Sequence, residues 1–283
     1  MSFRNRMLAP LLVLFAAAVG YPLIYSFYLS LTNYSIIHPK TTHLVGADQY
    51  VRAIHDPDYW SALRVTFIFV ICSVLLELCV GMALALALQR QRWARNFTRS
   101  FLLSPMFVTP IAVGLMFRFL LNQQLGVIPT LLAKVGVTYD FFGVDRALFS
   151  LVVIDVWQWT PFMVLLLLAG LESLPRQPFE AARVDGASPF YTFRRITVPM
   201  MSSVLTVAVL IRSLDAMKVF EYVYAITRGG PGTQTQTAQY FIYQTGITFF
   251  KLGLASAMAY ILLAMVMVVI VILFRSVERA KNA

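Results

Sequence analysis

The stretch EAARVDGASPFYTFRRITVP, Glu180 to Pro199, is a polar interruption in a strongly apolar sequence. It combines charged, small and aromatic residues, whereas the chain on either side of it is largely aliphatic. The stretch is too polar to cross a bilayer, and its regular pattern differs from that of a loose linker. It therefore indicates a structured segment that connects two membrane helices.

The composition of the whole chain is that of a membrane protein. Its 283 residues are 59% hydrophobic and 13% charged, with a mean hydropathy of +0.73, whereas soluble domains contain about 25% charged residues. Six apolar runs are each long enough to cross a hydrocarbon core of about 30 Å as a helix. These runs cover residues 7–31, 61–88, 100–121, 148–171, 201–226 and 251–274. The sequence predicts an all-α membrane protein with six transmembrane helices in a single domain, residues 1–283.

The distribution of basic residues predicts the orientation of these helices, because Lys and Arg concentrate in cytoplasmic segments. The richer set of segments contains Arg4, Arg6, Arg90, Arg92, Arg95, Arg99, Arg176, Arg183, Arg194, Arg195, Arg275, Arg279 and Lys281. The poorer set contains Lys40, Arg52, Lys134, Arg146, Arg228 and Lys251. We therefore expect both termini in the cytoplasm. The net charge of +10 indicates topology rather than nucleic-acid binding.

The sequence lacks the motifs of the common enzyme classes. Its three histidines, His38, His43 and His55, do not have the H-E-x-x-H spacing of a metalloprotease. There is no G-x-S-x-G nucleophile motif and no G-x-x-x-x-G-K-[ST] phosphate loop. We expect no catalytic residue, no metal ligand and no bound cofactor in this chain, and an intramembrane hydrolase is disfavoured.

The local pattern of the polar stretch predicts two short helices with a glycine turn between them. Pro178 suits the first turn of a helix, and Asp185-Gly186 is typical of a helix end. Ser188 followed by a proline is typical of a second helix start. Phe190, Phe193 and Ile196 recur every three residues and predict one apolar face. That face could lie on the lipid surface or in a groove of a partner protein.

The stretch resembles the "EAA" loop of binding-protein-dependent ABC importer permeases, whose pattern is E-A-A-x-x-x-G, nine residues, then I-x-L-P. Glu180, Ala181, Ala182 and Gly186 match in type and spacing, as do Ile196 and Pro199, and Asp185 with Ala187 matches the D-G-A variant. Val198 replaces the usual leucine, which is a conservative change. The resemblance favours a protein groove over lipid as the surface that the loop contacts.

This resemblance implies a type I ABC importer permease fold in the bacterial cytoplasmic (inner) membrane, with residues 175–199 as the coupling loop. The expected partners are a homologous second permease subunit of the G/E type, two ABC ATPase subunits that bind ATP and Mg²⁺, and an extracytoplasmic solute-binding protein. Phe190, Phe193 and Ile196 would fill the ATPase groove, and Glu180 and Arg194 are candidates for charge contacts at its edge.

A second stretch, ITRGGPGTQTQTAQYFIYQTGI from Ile226 to Ile247, resembles the outward loop of sugar permeases related to the maltose and glycerol-phosphate F/A-type subunits. The turn cluster Gly229, Gly230, Pro231 and Gly232 is expected to lie where a solute-binding protein docks. From composition alone, an ordinary solvated loop is the favoured interpretation of this stretch.

Charged and aromatic residues inside the apolar runs are candidates for the solute pathway, because a charge near mid-bilayer costs about 2.5–3.5 kcal/mol. The candidates are Asp155, Trp157, Gln158, Trp159 and Asp215. A purely structural interpretation is also possible. The charges alternate in sign at three-residue spacing, and neighbouring pairs could neutralise each other along Arg212, Asp215, Lys218 and Glu221. Tryptophans near a membrane face could be interfacial anchors. Glu77 and Arg118 are isolated in sequence and could pair with each other across helices.

The sequence thus predicts a permease subunit of an ATP-driven importer for a sugar or sugar-like solute. One alternative is an ABC permease for a non-sugar solute such as glycerol 3-phosphate. The other is a secondary transporter coupled to an ion gradient, which would be expected to show inverted repeats. No such repeat is evident in the sequence.

Overall fold

The computed structural model describes residues 3–91 and 95–282, and all regular elements in that part of the chain are helical. This confirms the predicted all-α class. The chain divides into two compact units. The first comprises Met1–Ala62 and Ala238–Met265, and the second comprises Leu63–Thr237 and Val266–Ala283. Helix α4, Pro57–Arg90, and helix α14, Leu252–Asn282, each contribute to both units.

The first unit contains the N-terminal helices and the segment around residue 240. Helix α1, Phe3–Phe15, continues through a π-helical segment, Ala16–Gly20, into α2, Tyr21–Ser30. Helix α3, Asp48–Ile54, precedes α4, and α13, Ala238–Tyr243, precedes α14. Within this unit, the Tyr59 hydroxyl donates a 2.8 Å hydrogen bond to the Met258 carbonyl and joins the start of α4 to α14.

The second unit contains the remaining helices and the main apolar core. Its further helices are α5 (Arg95–Leu103), α6 (Pro110–Leu120), α7 (Val127–Lys134), α8 (Ala147–Glu172), α9 (Gln177–Val184), α10 (Pro189–Thr192), α11 (Val198–Met200) and α12 (Ser202–Ala216). The core is formed by side chains of α4, α8 and α12, with Met201 just before α12. They are Met82, Ala85, Leu88, Met163, Val164, Leu167, Leu168, Leu171, Met201 and Ala208. This three-helix core holds the intramembrane part of the candidate site.

A small residue brings α8 and α12 close together. A Cβ atom built on Gly170 of α8 would lie only 2.8 Å from Cγ1 of Val204 on α12. Membrane helices associate closely at such small residues, because packing rather than the hydrophobic effect drives their contact.

Four helical segments of the described chain are long and apolar enough to cross a membrane: Pro10–Ser30, Pro57–Arg90, Ala147–Glu172 and Leu252–Ile272. Two bent pairs pass the same criterion together, Phe97–Phe107 with Pro110–Leu120 and Pro189–Met200 with Ser202–Ala216. Counting each pair as one span gives six, in agreement with the predicted number. Arg92, used to predict the orientation, lies outside the described residues, as do the side chains of Arg4, Arg6, Arg95, Arg279 and Lys281.

The predicted helix 100–121 is not continuous. Its two halves meet at 92°, and Thr109 between them has an extended backbone with ψ 137°. The cause is Pro110, because a proline ring disfavours the helical conformation of the residue before it. The sequence prediction treated the prolines within this apolar run as part of one helix, which was wrong.

The predicted helix 201–226 also ends early, at Ala216. The chain makes a tighter turn at Lys218 and Val219 before a π-helical segment begins at Val223. The Thr237 hydroxyl donates a 3.0 Å hydrogen bond to the Val219 carbonyl, which satisfies a backbone group that the break would otherwise leave unpaired. Irregular backbone at membrane depth requires such internal partners.

Candidate functional site

The coupling loop, residues 175–199, contains the predicted pair of short helices and the predicted glycine turn. Helix α9 ends in a left-handed turn at Gly186, which has φ +68°. Two hydrogen bonds close this helix end, from Gly186 N to Arg183 O and from Ala187 N to Ala182 O. This is the Schellman pattern that favours glycine. The Ser188 hydroxyl accepts from Tyr191 N and caps α10 as predicted.

Several large apolar side chains of the coupling loop are exposed. Val184 is 88% exposed and Phe190 is 71% exposed, and Tyr191 is also mostly exposed. Val184 and Tyr191 were not predicted from the sequence as contact residues. Helical spacing does indicate Val184, which follows Glu180 by four residues and shares its face. Large exposed apolar groups that cluster on a charged segment are typical of an interaction surface.

The predicted apolar face of Phe190, Phe193 and Ile196 is not formed as expected. Phe193 packs against the core of the second unit, whereas Phe190 is exposed and Ile196 is half-buried. A π-helical segment, Phe193–Thr197, follows, and its wider turn changes the three-residue spacing between Phe193 and Ile196 that the prediction assumed. Phe193 therefore joins the coupling loop to the membrane helices.

The other predicted coupling residues lie mostly at the surface of the loop. Ala182 is buried, whereas Glu180, Ala181, Asp185, Arg194 and Pro199 are exposed. Behind α9 is a cavity of ≈ 480 Å³, lined by residues that include Glu180, Arg183 and Thr197. The exposed charged groups of Glu180, Asp185 and Arg194 can therefore contact a partner. Phe193 at the same time joins the loop to the core.

A buried charge cluster lies between α4, α8 and α12. The Arg212 guanidinium, 1% exposed, donates to both oxygens of Glu77, with Nε to Oε2 at 2.7 Å and Nη2 to Oε1 at 2.9 Å. Its Nη2 also bonds to Asp155, and its Nη1 donates to Asp215 at 3.2 Å. One arginine thus holds carboxylates from three helices. Bidentate pairing suits burial, because an arginine and a carboxylate match in planar geometry.

The predicted pair of Glu77 with Arg118 is wrong. Glu77 is held by Arg212, and Arg118 instead donates its Nη1 to the Ala225 carbonyl at 3.1 Å. That carbonyl belongs to the π-helical segment Val223–Thr227. The predicted ladder along helix five is only partly present, because Arg212 bonds to Asp215 but its main partners lie on other helices.

A polar cavity of ≈ 230 Å³ adjoins the charge cluster. Its lining comprises Pro110, Asp155, Trp159, Arg212, Asp215, Ala216, Lys218, Val219, Glu221 and Tyr222. Three predicted pathway residues, Asp155, Trp159 and Asp215, therefore come together at this cavity. The sequence analysis missed Tyr222 and Pro110 as lining residues, because both lie beside helix breaks that it did not predict.

The remaining two predicted pathway residues lie elsewhere. Gln158 is fully buried beside the cavity, where it donates to the Val108 carbonyl at 2.6 Å and accepts from the Tyr222 hydroxyl at 2.5 Å. Trp157 is largely exposed and packs edge-on against Phe117. Successive helical residues are about 100° apart, so Trp157 points away from the face that Asp155 shares with Trp159.

The glycine-rich loop, Gly229 to Gly232, is held by hydrogen bonds on both sides. The Thr235 hydroxyl, which is buried, bonds to Thr227 and to the Gly230 carbonyl, both at 2.7 Å. Gln234 and Asp145 exchange two hydrogen bonds, at 2.9 Å and 3.2 Å. This packing differs from an ordinary solvated loop, and the loop presents a defined surface beside residue 145.

Comparisons with known proteins agree on one family. Residues 77–281 match the family model described as binding-protein-dependent transport system inner membrane component. The chain is 36% identical over 231 residues to the trehalose/maltose transport system permease protein MalF of Thermococcus litoralis, covering 81% of this chain and 78% of that protein. It is 31% identical over 266 residues to the trehalose transport system permease protein SugA of Mycobacterium tuberculosis, covering 93% and 84%.

A solved structure shows the same fold. It is a chain of a bacterial ABC transporter involved in the import of the acidic polysaccharide alginate, with a TM-score of 0.82. The alignment covers 97% of this chain and 94% of that chain at 21% sequence identity. The likeness confirms the predicted ABC importer permease fold.

Proposed function

This chain belongs to the family of binding-protein-dependent transport system inner membrane components, and we propose on that basis that it is the permease subunit of an ATP-driven importer for a sugar or sugar-like solute. The family and the apolar helices place it in the inner membrane as a multi-pass protein. We further propose that both termini lie in the cytoplasm, as the positive-inside distribution indicates.

The observation that carries the proposal is the exposed apolar surface of the coupling loop. Val184, Phe190 and Tyr191 are solvent-exposed in the isolated chain, although the loop that presents them is closed by a Schellman turn and a serine cap. Exposure of these groups to water is unfavourable, and insertion into a groove would remove it. We propose that an ABC ATPase subunit provides that groove.

The proposed assembly contains this chain, a homologous second permease of the G/E type, two ABC ATPase subunits and an extracytoplasmic solute-binding protein. ATP and Mg²⁺ would bind to the ATPase subunits, and this chain would act as a non-enzymatic transport subunit. The buried junction of Phe193 with the α4–α8–α12 core supports this role, because it joins the coupling loop to the helices around the cavity. Movement of the loop would then be transmitted to the membrane helices.

We propose that the solute passes the polar cavity at Asp155, Trp159 and Asp215, with Tyr222 also in its lining and Gln158 behind Tyr222. An aromatic ring beside carboxylates suits a sugar, which has apolar ring faces and a rim of hydroxyl groups. The outward loop at Gly229, Gly230, Pro231 and Gly232 would contact the solute-binding protein. Its hydrogen-bonded packing supports this role, because a preorganised surface loses less entropy on binding.

The proposal is tested with the purified complex in proteoliposomes that contain a carbohydrate-binding protein on the substrate side. Uptake of labelled solute should require ATP on the ATPase side and should persist when an uncoupler removes ion gradients. Uptake that continues without ATP and stops with the uncoupler would show an ion-coupled transporter and overturn the proposal.

A further inference from the structure

Arg212, the buried cation of the cavity, already donates most of its hydrogen bonds to groups of the protein. Its guanidinium donates one hydrogen bond from Nε, two from Nη2 and one from Nη1, to Glu77, Asp155 and Asp215. A guanidinium has five N–H donors, so a single one is left for a solute. Arg212 is therefore a structural counter-charge and offers little to an incoming anion.

The formal charges around the cavity are unbalanced toward negative. Carboxylates are contributed by Asp155, Asp215 and Glu221 at the lining and by Glu77 directly behind Arg212, whereas the cations are Arg212 and Lys218. The three carboxylates of the lining against these two cations give a formal charge of −1. An entering anion would be repelled, and the repulsion is stronger here than in water, because the surrounding medium has a lower dielectric constant.

Lys218 is the remaining cation. Within residues 3–91 and 95–282 it has no ion-pair partner, and its side chain is exposed at the cavity. Its ammonium group can donate to a hydroxyl, but it shares the cavity lining with the carboxylates of Asp215, whose side chain is 46% exposed, and Glu221. Phosphate groups are usually bound by several cationic or backbone donors, and this cavity does not provide them.

The aromatic ring and the hydrogen-bonding groups of the lining suit a polyhydroxylated solute. Trp159 provides an indole ring, one face of which lies near the Arg212 guanidinium at 5.3 Å. Asp215 and Glu221 can accept hydrogen bonds from hydroxyl groups, and Lys218 can donate one. The volume of ≈ 230 Å³ is below the roughly 300–1,000 Å³ of drug-sized pockets and suits a single sugar ring.

We propose that this cavity selects neutral polyhydroxylated solutes over their anionic derivatives, and that Asp215 and Glu221 determine this selectivity by their charge. The proposal rests on the proposed function in so far as it takes the cavity to be part of the solute pathway. It narrows the solute class to neutral sugars and polyols and excludes phosphate esters, including glycerol 3-phosphate.

The test uses matched pairs of solutes that differ only by a phosphate group: trehalose with trehalose 6-phosphate, and glucose with glucose 6-phosphate. The complete importer, with its ATPase subunits, is held in nanodiscs without a binding protein, so that the permease meets the solute directly. Binding is measured as the part of the tryptophan fluorescence change that is lost in the Trp159→Phe variant. The neutral member of a pair should bind at least about tenfold more tightly.

Charge-neutralising variants make the test specific to the lining. Asp215→Asn with Glu221→Gln should reduce the preference for the neutral member by about tenfold, because two repulsive charges are removed while the side-chain shapes are retained. Glu172→Gln, which removes the same charge from the partly exposed carboxylate paired with Arg99, should leave the preference unchanged. A preference that changes equally in both variants would contradict the role of the lining.

Two further outcomes would overturn the proposal: equal or tighter binding of the phosphorylated member by the unmodified importer, or no Trp159-dependent signal from any pair. Either outcome is compatible with ATP-dependent uptake, which is measured separately in proteoliposomes. Loss of ATP dependence would instead overturn the importer function, whatever the charge preference of the cavity. The two failures are therefore distinguishable.

Discussion

The Arg212 cluster and the coupling loop are both polar regions in an apolar chain. The charges of the cluster are paired within the chain, whereas the loop leaves several of its side chains exposed. Arg212 is 1% exposed, and carboxylates of three helices surround it within the same chain. In the coupling loop, Val184 is 88% exposed and Glu180 also lies at the surface. The cluster is complete in this chain, whereas the loop is complete only when a partner covers it.

This difference separates a structural role from a transmitting role. A buried charge needs fixed partners, because leaving it unpaired in a medium of low dielectric constant is costly. A surface that must engage another subunit has to leave its contact groups unpaired until assembly. We therefore expect the loss of Arg212 to act on folding and changes in the loop to act on assembly and coupling.

The largest effect is expected for Arg212→Met, because it leaves Glu77 and Asp155 buried without their counter-charge. Removing one partner of a buried ion pair destabilises a protein by about 3–5 kcal/mol. The free energy of unfolding should fall by about this amount in a denaturing-detergent titration of the purified chain.

Arg99→Met is the matched control for that variant. It removes an arginine from a partly exposed pair with Glu172, and such pairs contribute about 0–1 kcal/mol. Equal losses of stability in the two arginine variants would contradict the distinction between a buried cluster and a surface contact.

The sequence predicted helix faces well and contacts between helices poorly. Helical periodicity places Asp155 and Trp159 on one face, and both line the cavity. The same periodicity places Trp157 on a different face, but it was predicted to line the pathway because of its residue type alone. The partner of Glu77 was not predictable, because Arg212 is 135 residues away and no rule of spacing relates the two positions.

Irregular backbone was the second limit of prediction. The predicted glycine turn at Gly186 is present, but nothing in the family pattern indicates the π-helical segment Phe193–Thr197 or the packing of Phe193 against the core. The helix end at Ala216 was also missed, because the residues that follow remain mostly apolar and the compensating hydrogen bond comes from Thr237. These irregular segments depend on tertiary contacts rather than on local preference.

A smaller effect, on assembly alone, is expected for Val184→Asp. An ATPase groove that covers Val184 would have to bury the new charge, and we expect the affinity of the ATPase subunits for the permease pair to fall by about ten- to a hundredfold. The affinity is measured by titration of ATPase subunits onto permeases in nanodiscs, and the free energy of unfolding should stay unchanged.

Val135→Asp provides the control for assembly, because Val135 is also largely exposed but lies at the end of α7, outside the coupling loop. It should leave the affinity for ATPase subunits unchanged. Unaltered ATPase binding by Val184→Asp would show that this surface contacts something other than the ATPase, such as lipid.

The smallest structural change tests the central claim most directly: Gly186→Val in the coupling loop, measured as solute molecules taken up per ATP hydrolysed. Gly186 has φ +68°, and a Cβ atom there would meet open space, so the substitution strains the turn without creating a clash. Gly186→Asn, which tolerates this conformation, and Gly136→Val, an equally open glycine at φ +79°, are the controls. We predict a several-fold lower ratio for Gly186→Val, with ATP hydrolysis retained and both controls near the unmodified value. An unchanged ratio for Gly186→Val, or an equal loss in Gly136→Val, would contradict the assignment of residues 175–199 as the element that couples ATP hydrolysis to transport.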